Sequence, residues 1–246
     1  MDHVQTETTG DEPVVRQAST YEDLAGMIEL PLLDPLMPEE AVAARCEMAR
    51  RYRLAAITVR PSDVQLVSKW LSDSRVAVGT VIGSADGSQT TAVKNYETRD
   101  LIGRGAREVC ATMNLAKLFS RQFQYLELEV AQLWQECRDR DTRLKITIEL
   151  PLLPQDLRVI ACKILKRAEA KHGRAAWRLS PAPATDADLE FLKLKFGENI
   201  TLDAGAVESS LDRIKALYAM GVARVVVRDP VTVLEQWKKE LEARAA

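Results

Sequence analysis

The side chains able to do chemistry in this chain are few and widely spread. Two glutamates, Glu29 and Glu149, hold the same place in two copies of the hexapeptide IELPLL, at residues 28–33 and 148–153 of 246. Paired carboxylates can move protons or hold cations once a fold brings them together. Cys46, Cys110, Cys137 and Cys162 are scattered without metal-ligand spacing and read as free thiols of a reducing compartment. His3 and His172 form no cluster, and His172 stands beside Gly173 in what reads as a helix-ending turn. No metal site of the His and Cys kind is expected, and no cofactor is implied.

The repeat points to the elements that must position these groups. A hexapeptide recurring at about half the chain length suggests two related halves, each opening with a short apolar strand that ends at a proline. Strand-like runs fall at 26–30, 54–59, 75–82, 108–113, 144–150, 175–179, 199–203 and 223–227. Helical patterns fall between and after them, at 38–52, 61–72, 90–103, 124–140, 154–171, 185–196, 207–220 and 231–244. Pro38-Glu-Glu and Pro154-Gln-Asp put proline and acids into first turns, where an N–H is not needed and the helix dipole favours negative charge. Gly103, Gly105, Gly173, Gly197 and Gly221 read as residues just past helix ends. Eight strand-helix units predict a closed (β/α)8 TIM barrel over residues 23–246, after a disordered tail at 1–22. An open doubly wound sheet usually announces itself by a glycine-rich first turn, and IELPLLDP has none. In an eightfold barrel the first and fifth strands face each other, which is where the two hexapeptides fall.

Composition excludes several classes. With 34 basic and 36 acidic residues the net charge is -2, without a long block of one sign, so no nucleic-acid partner is expected. No apolar run approaches the about 20 residues that span a bilayer, and the polar start MDHVQTETTGDEP is not a signal peptide. A cytoplasmic protein is the expectation. Trp70, Trp134 and Trp237 lie in helical patterns and are expected to cover the barrel, with Trp177 facing the helix layer. Phe119, Phe123 and Tyr125 form a candidate contact for a homodimer.

Four stretches carry a resemblance to a known family. Residues 28–35 (IELPLLDP), 55–61 (AAITVRP), 81–94 (VIGSADGSQTTAVK) and 108–114 (EVCATMN) resemble, in order, successive motifs of the deoxyribose-phosphate aldolases, which run roughly IDHTLLKP, AVCVNP, VIGFPLGxxTTxxK and EIDMVIN. The third is the most specific, because V-I-G, a later glycine, T-T and K keep their spacing. The resemblance extends over about residues 27–235 and is weaker in the second half. It implies a barrel and a class I aldolase, a lyase that forms a Schiff base between a lysine on the sixth strand and an aldehyde.

The chain departs from that pattern at the positions the resemblance marks as catalytic. The Schiff-base lysine, in a V-K-T-S context, falls at Arg178 of residues 176–180 (AWRLS). Arginine stays protonated to about pH 12 and its charge is spread over a planar fork, so it is no amine nucleophile. The second family lysine, on the seventh strand, falls at Thr201, and the proton-relaying aspartate of the fourth strand falls at Cys110. Lys94 matches a family lysine but belongs to a helix, and Lys117 to the loop after the fourth strand; both read as solvated charges. The family's phosphate-gripping Gly-Thr-Ser-Ser turn is replaced by Val227-Arg-Asp-Pro230, where Arg228 could still hold an anion.

Alternation together with the resemblance points Glu29, Cys110, Glu149 and Arg178 into the barrel and puts Thr58, Arg60, Asp86, Asn114, Asp203 and Arg228 near its rim. Two arrangements fit. In one, Arg178 pairs with Glu149 in an internal salt bridge that replaces the lost lysine, the default for buried acids and bases. In the other, Arg60, Arg178 and Arg228 hold a small carboxylate or phosphate while Glu29 or Glu149 acts as a base. Carboxylates alone on separate strands, Glu29, Glu149 and Asp203, are a weak magnesium signal, and Cys110 has no histidine to activate it. The expectation is an aldolase-like barrel that has lost Schiff-base activity and serves as a small-anion-binding or partner protein, a pseudoenzyme. The alternative is an active lyase, aldolase or isomerase on a small anionic metabolite, working without a lysine.

Overall fold

The computed structural model describes residues 16–83, 85–176, 179–180 and 182–245. Eight parallel strands close into one barrel in chain order, and helices follow them on the outside. The strands are β1 (Ile28–Leu32), β2 (Ala56–Val59), β3 (Ala77–Ile82), β4 (Glu108–Thr112), β5 (Arg143–Thr147), β6 (His172–Ala176), β7 (Thr201–Ala206) and β8 (Arg224–Val226). The helices are α1 (Tyr21–Ala25), α2 (Glu39–Arg51), α3 (Val64–Trp70), α4 (Thr91–Gly103), α5 (Leu115–Phe119), α6 (Phe123–Arg138), α7 (Gln155–Arg167), α8 (Asp186–Phe196), α9 (Leu211–Met220) and α10 (Pro230–Ala245). Closure runs through Ile28 beside Val225 and Glu29 beside Val226.

Local chemistry starts these helices. Thr20 and Thr185 form reciprocal capping boxes with Asp23 and Asp188, and the side chains of Thr90, Asn114 and Ser210 each accept a first-turn N–H. Pro38 and Pro154 stand one place outside their helices, at the N-cap with extended backbone, and the acids follow inside. Outward strand residues such as Ile57, Val109, Ile146 and Ala175 are buried against these helices and form the apolar core. Trp237 of α10 is fully buried, its indole N–H donating to the Thr20 carbonyl at 3.0 Å.

Three expectations need correction. Helix α1 lies across the end of the segment read as disordered, pinned by its capping box; residues 1–15 lie outside the described residues. The sixth strand begins at His172, not at 175, so His172 and Gly173 open a strand instead of ending a helix. Glycine suits that place because a Cβ on Gly173 would stand 2.4 Å from the Phe196 ring. The short α5, between β4 and α6, was absent from the sequence pattern because it holds a single helical turn or so. Between β6 and β7 the barrel also needs Gly205: its φ is +83°, and a Cβ would meet the Ala176 carbonyl oxygen at 1.6 Å.

Candidate functional site

The barrel interior is filled by charge, where branched aliphatic side chains are the usual filling. Glu29 on β1 lies at its centre, fully buried. Thr58 on β2 donates its hydroxyl to Glu29 Oε1 at 2.5 Å. Lys145 reaches across the barrel from β5 and gives its ammonium to Glu29 Oε2 at 2.6 Å, and also to Glu108 on β4. Arg174 on β6 donates to the same Glu29 oxygen at 2.6 Å, lies 3.5 Å from Asp203 on β7, and points its other terminal nitrogen at Cys110 Sγ, 3.7 Å away. Two cations thus converge on one carboxylate, with a second and third acid beside them.

Burial alone would make each of these charges costly, and the partners decide the outcome. It pushes the Glu29 carboxyl up, but the Arg174 guanidinium and the Lys145 ammonium outweigh it and hold that carboxyl below the usual range. Burial likewise opposes charge on Lys145, and Glu29 and then Glu108 overcome it, keeping the ammonium protonated well above its ordinary range. Asp203 goes the other way: burial raises its carboxyl, only partly offset by Lys145 and Arg174, and its Oδ1 has no hydrogen-bond partner. Burial pushes the Cys110 thiol up to about 12, so it is no nucleophile at neutral pH.

Several expected site residues lie elsewhere than the alternation suggested. Thr58 and Asp203 belong to the buried interior and not to the rim. Arg60 is committed to structure: its guanidinium donates to Asp63 at 2.6 Å and to the carbonyls of Asp34 and Met37, both at 3.0 Å, tying the loop after β1 to the loop after β2. Asn114 caps α5 and Asp86 accepts the Ser88 N–H within its own turn. Thr201 is the first residue of β7, level with His172 at the amino end of the barrel. Lys94, read as a solvated helix lysine, is fully buried and paired with Glu129 at 2.7 Å. Lys117 lies over the Tyr125 ring at 5.1 Å. Phe119 is exposed, whereas Phe123 and Tyr125 pack on the core.

Glu149 is fully buried, as expected, but it is not on a strand. Strand β5 ends at Thr147, and Glu149 adopts φ 53° at the head of a 3-10 turn over Leu150–Leu152. Its carboxylate accepts the Ser180 N–H at 3.1 Å. Arg178, Trp177 and the proposed Arg178–Glu149 pair lie outside the described residues.

The charged interior itself was missed at Lys145, Arg174 and Glu108. The signal was present for all three. Period two puts Glu108 on the same face as Cys110, Lys145 on the same face as Glu149 and Arg174 on the same face as Arg178, but a sixth strand placed at 175–179 left Arg174 outside it.

At the carboxyl ends of β1, β7 and β8 the barrel opens into a cavity of about 530 Å³. Arg45 of α2 and Arg228 after β8 line it together with Asp34, Met37 and Ala206. Arg45 and Arg228 make no ion pair with a described residue, although Arg45 lies near enough to Asp229 to help lower its carboxyl.

No family model matches this chain. The deoxyribose-phosphate aldolase of Caldanaerobacter subterraneus subsp. tengcongensis is 28% identical over 228 residues, covering 92% of this chain and 99% of that protein. That of Clostridium perfringens is 28% identical over 214 residues, covering 87% and 95%. The chain is a relative of the deoxyribose-phosphate aldolases. The fold agrees: a solved deoxyribose phosphate aldolase from Aeropyrum pernix, described as tetrameric, superimposes with a TM-score of 0.80 at 22% identity, covering 90% of this chain and 94% of that one. The aldolase resemblance of the four early motifs therefore extends across the barrel. Among the described residues no helix is long and apolar enough to cross a membrane.

Proposed function

We propose that this relative of the deoxyribose-phosphate aldolases has lost Schiff-base chemistry and holds a small anionic metabolite at its mouth as a binding or partner protein. The observation that carries the reading is the state of Lys145, the one lysine among the described residues that reaches the barrel interior. Clamped between Glu29 and Glu108, its amine stays charged, and a charged amine cannot attack a carbonyl. The residues that the resemblance sets against the family's catalytic lysines, Arg178 and Thr201, cannot form an imine. Cys110 replaces the relaying carboxylate with a thiol that stays protonated.

The anion-binding half of the reading rests on Arg45 and Arg228 at the mouth cavity. A guanidinium offers paired donors that match a carboxylate or phosphate, and the cavity's size suits a small metabolite.

Borohydride trapping with 2-deoxyribose 5-phosphate tests the loss of chemistry. The expected result is no covalent adduct, and a reduced adduct on any lysine overturns it. Thermal stabilisation by sugar phosphates or small carboxylic acids, lost in Arg45→Gln/Arg228→Gln, is the expected sign of the mouth site. A flat response to all of them would refute metabolite binding and leave a protein partner as the role.

A further inference from the structure

At the opposite end of the barrel the strands begin around a second cavity, of about 480 Å³. Five arginines converge on it: Arg75 and Arg107 from the segments entering β3 and β4, Arg138 from the end of α6, and Arg143 and Arg224 as the first residues of β5 and β8. His172, the first residue of β6, completes the ring. Arg138 also lies 3.6 Å from Asp139 beside it, and the acids of the lining itself are Glu108 and Asp141.

Those two carboxylates do not satisfy the arginines. One oxygen of Glu108 is taken by Lys145 in the barrel interior. The other is shared by Arg143 at 3.6 Å and Arg224 at 3.5 Å, both too long for a good hydrogen bond. Arg75 and Arg107 make no ion pair with any described residue. Two buried nitrogens of the lining, Arg224 Nε and His172 Nδ1, have no hydrogen-bond partner. The amino-terminal face of such a barrel ordinarily serves stability alone. Here it gathers like charges around a concavity and leaves donors unused, an arrangement that repels itself when empty and is relieved by an anion with several acceptor oxygens.

We infer that the amino-terminal floor of the barrel is a separate anion site, built for a compact oligophosphate of the pyrophosphate type. Guanidinium forks match phosphoryl oxygens in pairs, and several spread around one cavity suit an anion with more than one phosphoryl group better than a monoanion. The site is distinct from the mouth, since the charged interior from Glu108 through Lys145 to Glu29 fills the barrel between them. It holds whether or not the reading of the mouth does.

The test uses the full chain with pyrophosphate as probe, read by the imidazole nitrogen signals of His172, assigned with a His3→Gln variant. Titration is expected to shift the His172 signals saturably. Arg75→Gln/Arg107→Gln removes two exposed guanidiniums that make no internal ion pair, so the variant keeps its fold, checked by its thermal midpoint. It is expected to weaken that binding by about tenfold or more. Arg45→Gln/Arg228→Gln at the mouth is expected to leave the His172 titration unchanged. Unmoved His172 signals, equal affinity in the floor variant, or loss of the titration in the mouth variant would each overturn the assignment.

Discussion

Glu29 and Glu149 occupy the same place in two copies of IELPLL, yet their carboxylates do different work. In the first copy the hexapeptide's first five residues are strand β1, and Glu29 lies at the barrel centre between Lys145 and Arg174. In the second copy β5 has already run its length from Arg143 when the hexapeptide begins. Ile148 still donates its N–H to the Arg174 carbonyl at 2.9 Å, but Glu149 then turns left-handed and Leu150–Leu152 form a 3-10 turn. Pro31 sits in a strand beside Thr58, and Pro151 sits in the first turn of a helix. The same six residues therefore read as strand or turn according to how far along the barrel wall they fall.

The largest expected effect separates the two glutamates directly. Glu29→Gln strips two fully buried cations of their shared partner and should cost about 3–5 kcal/mol in urea unfolding. Glu149→Gln keeps an acceptor for the Ser180 N–H and should cost about 1–2 kcal/mol. Equal costs would erase the distinction.

The acid limb of the stability curve should report on Glu29 next. Glu29 is held below its ordinary range, so its contribution is complete above about pH 4.3 and is lost as pH falls through the lower folded value. Melting midpoints measured from pH 7 to pH 2 should show that limb flattened in Glu29→Gln relative to the unsubstituted chain.

A double-mutant cycle sharpens the geometry. Glu29→Gln combined with Lys145→Met should show a coupling of about 1–3 kcal/mol. Glu149→Gln combined with Lys145→Met should be additive within about 0.5 kcal/mol.

The smallest effect has the clearest sign. At position 149, with φ 53°, glycine should be more stable than alanine by about 1 kcal/mol. At position 29, in extended backbone, alanine should win by about 0.5–1 kcal/mol. The same order at both positions would mean that the two copies share a conformation in solution.

Much of the fold was legible because strand and helix periods, caps and the ordered aldolase motifs all agreed. The helix patterns at 38–52, 90–103 and 185–196 correspond to α2, α4 and α8 within a residue or so at each end. The site was less legible. Cys110 and Glu29 point inward as alternation requires, whereas Thr58 and Asp203 were set too near the rim. Their height depends on where each strand starts against its neighbours, and a strand's own sequence carries no record of that register. The error at β6 shows the cost: shifting its start from 172 to 175 hid Arg174, the second cation on Glu29.

The sequence by itself determined the (β/α)8 barrel and the aldolase resemblance, because hydrophobic period and short ordered motifs are local properties. Only the tertiary structure decided which charges meet. Lys145 and Glu29 lie far apart in the chain and 2.6 Å apart across the barrel, and barrel closure alone turns a lysine on one wall into the partner of a glutamate on the other.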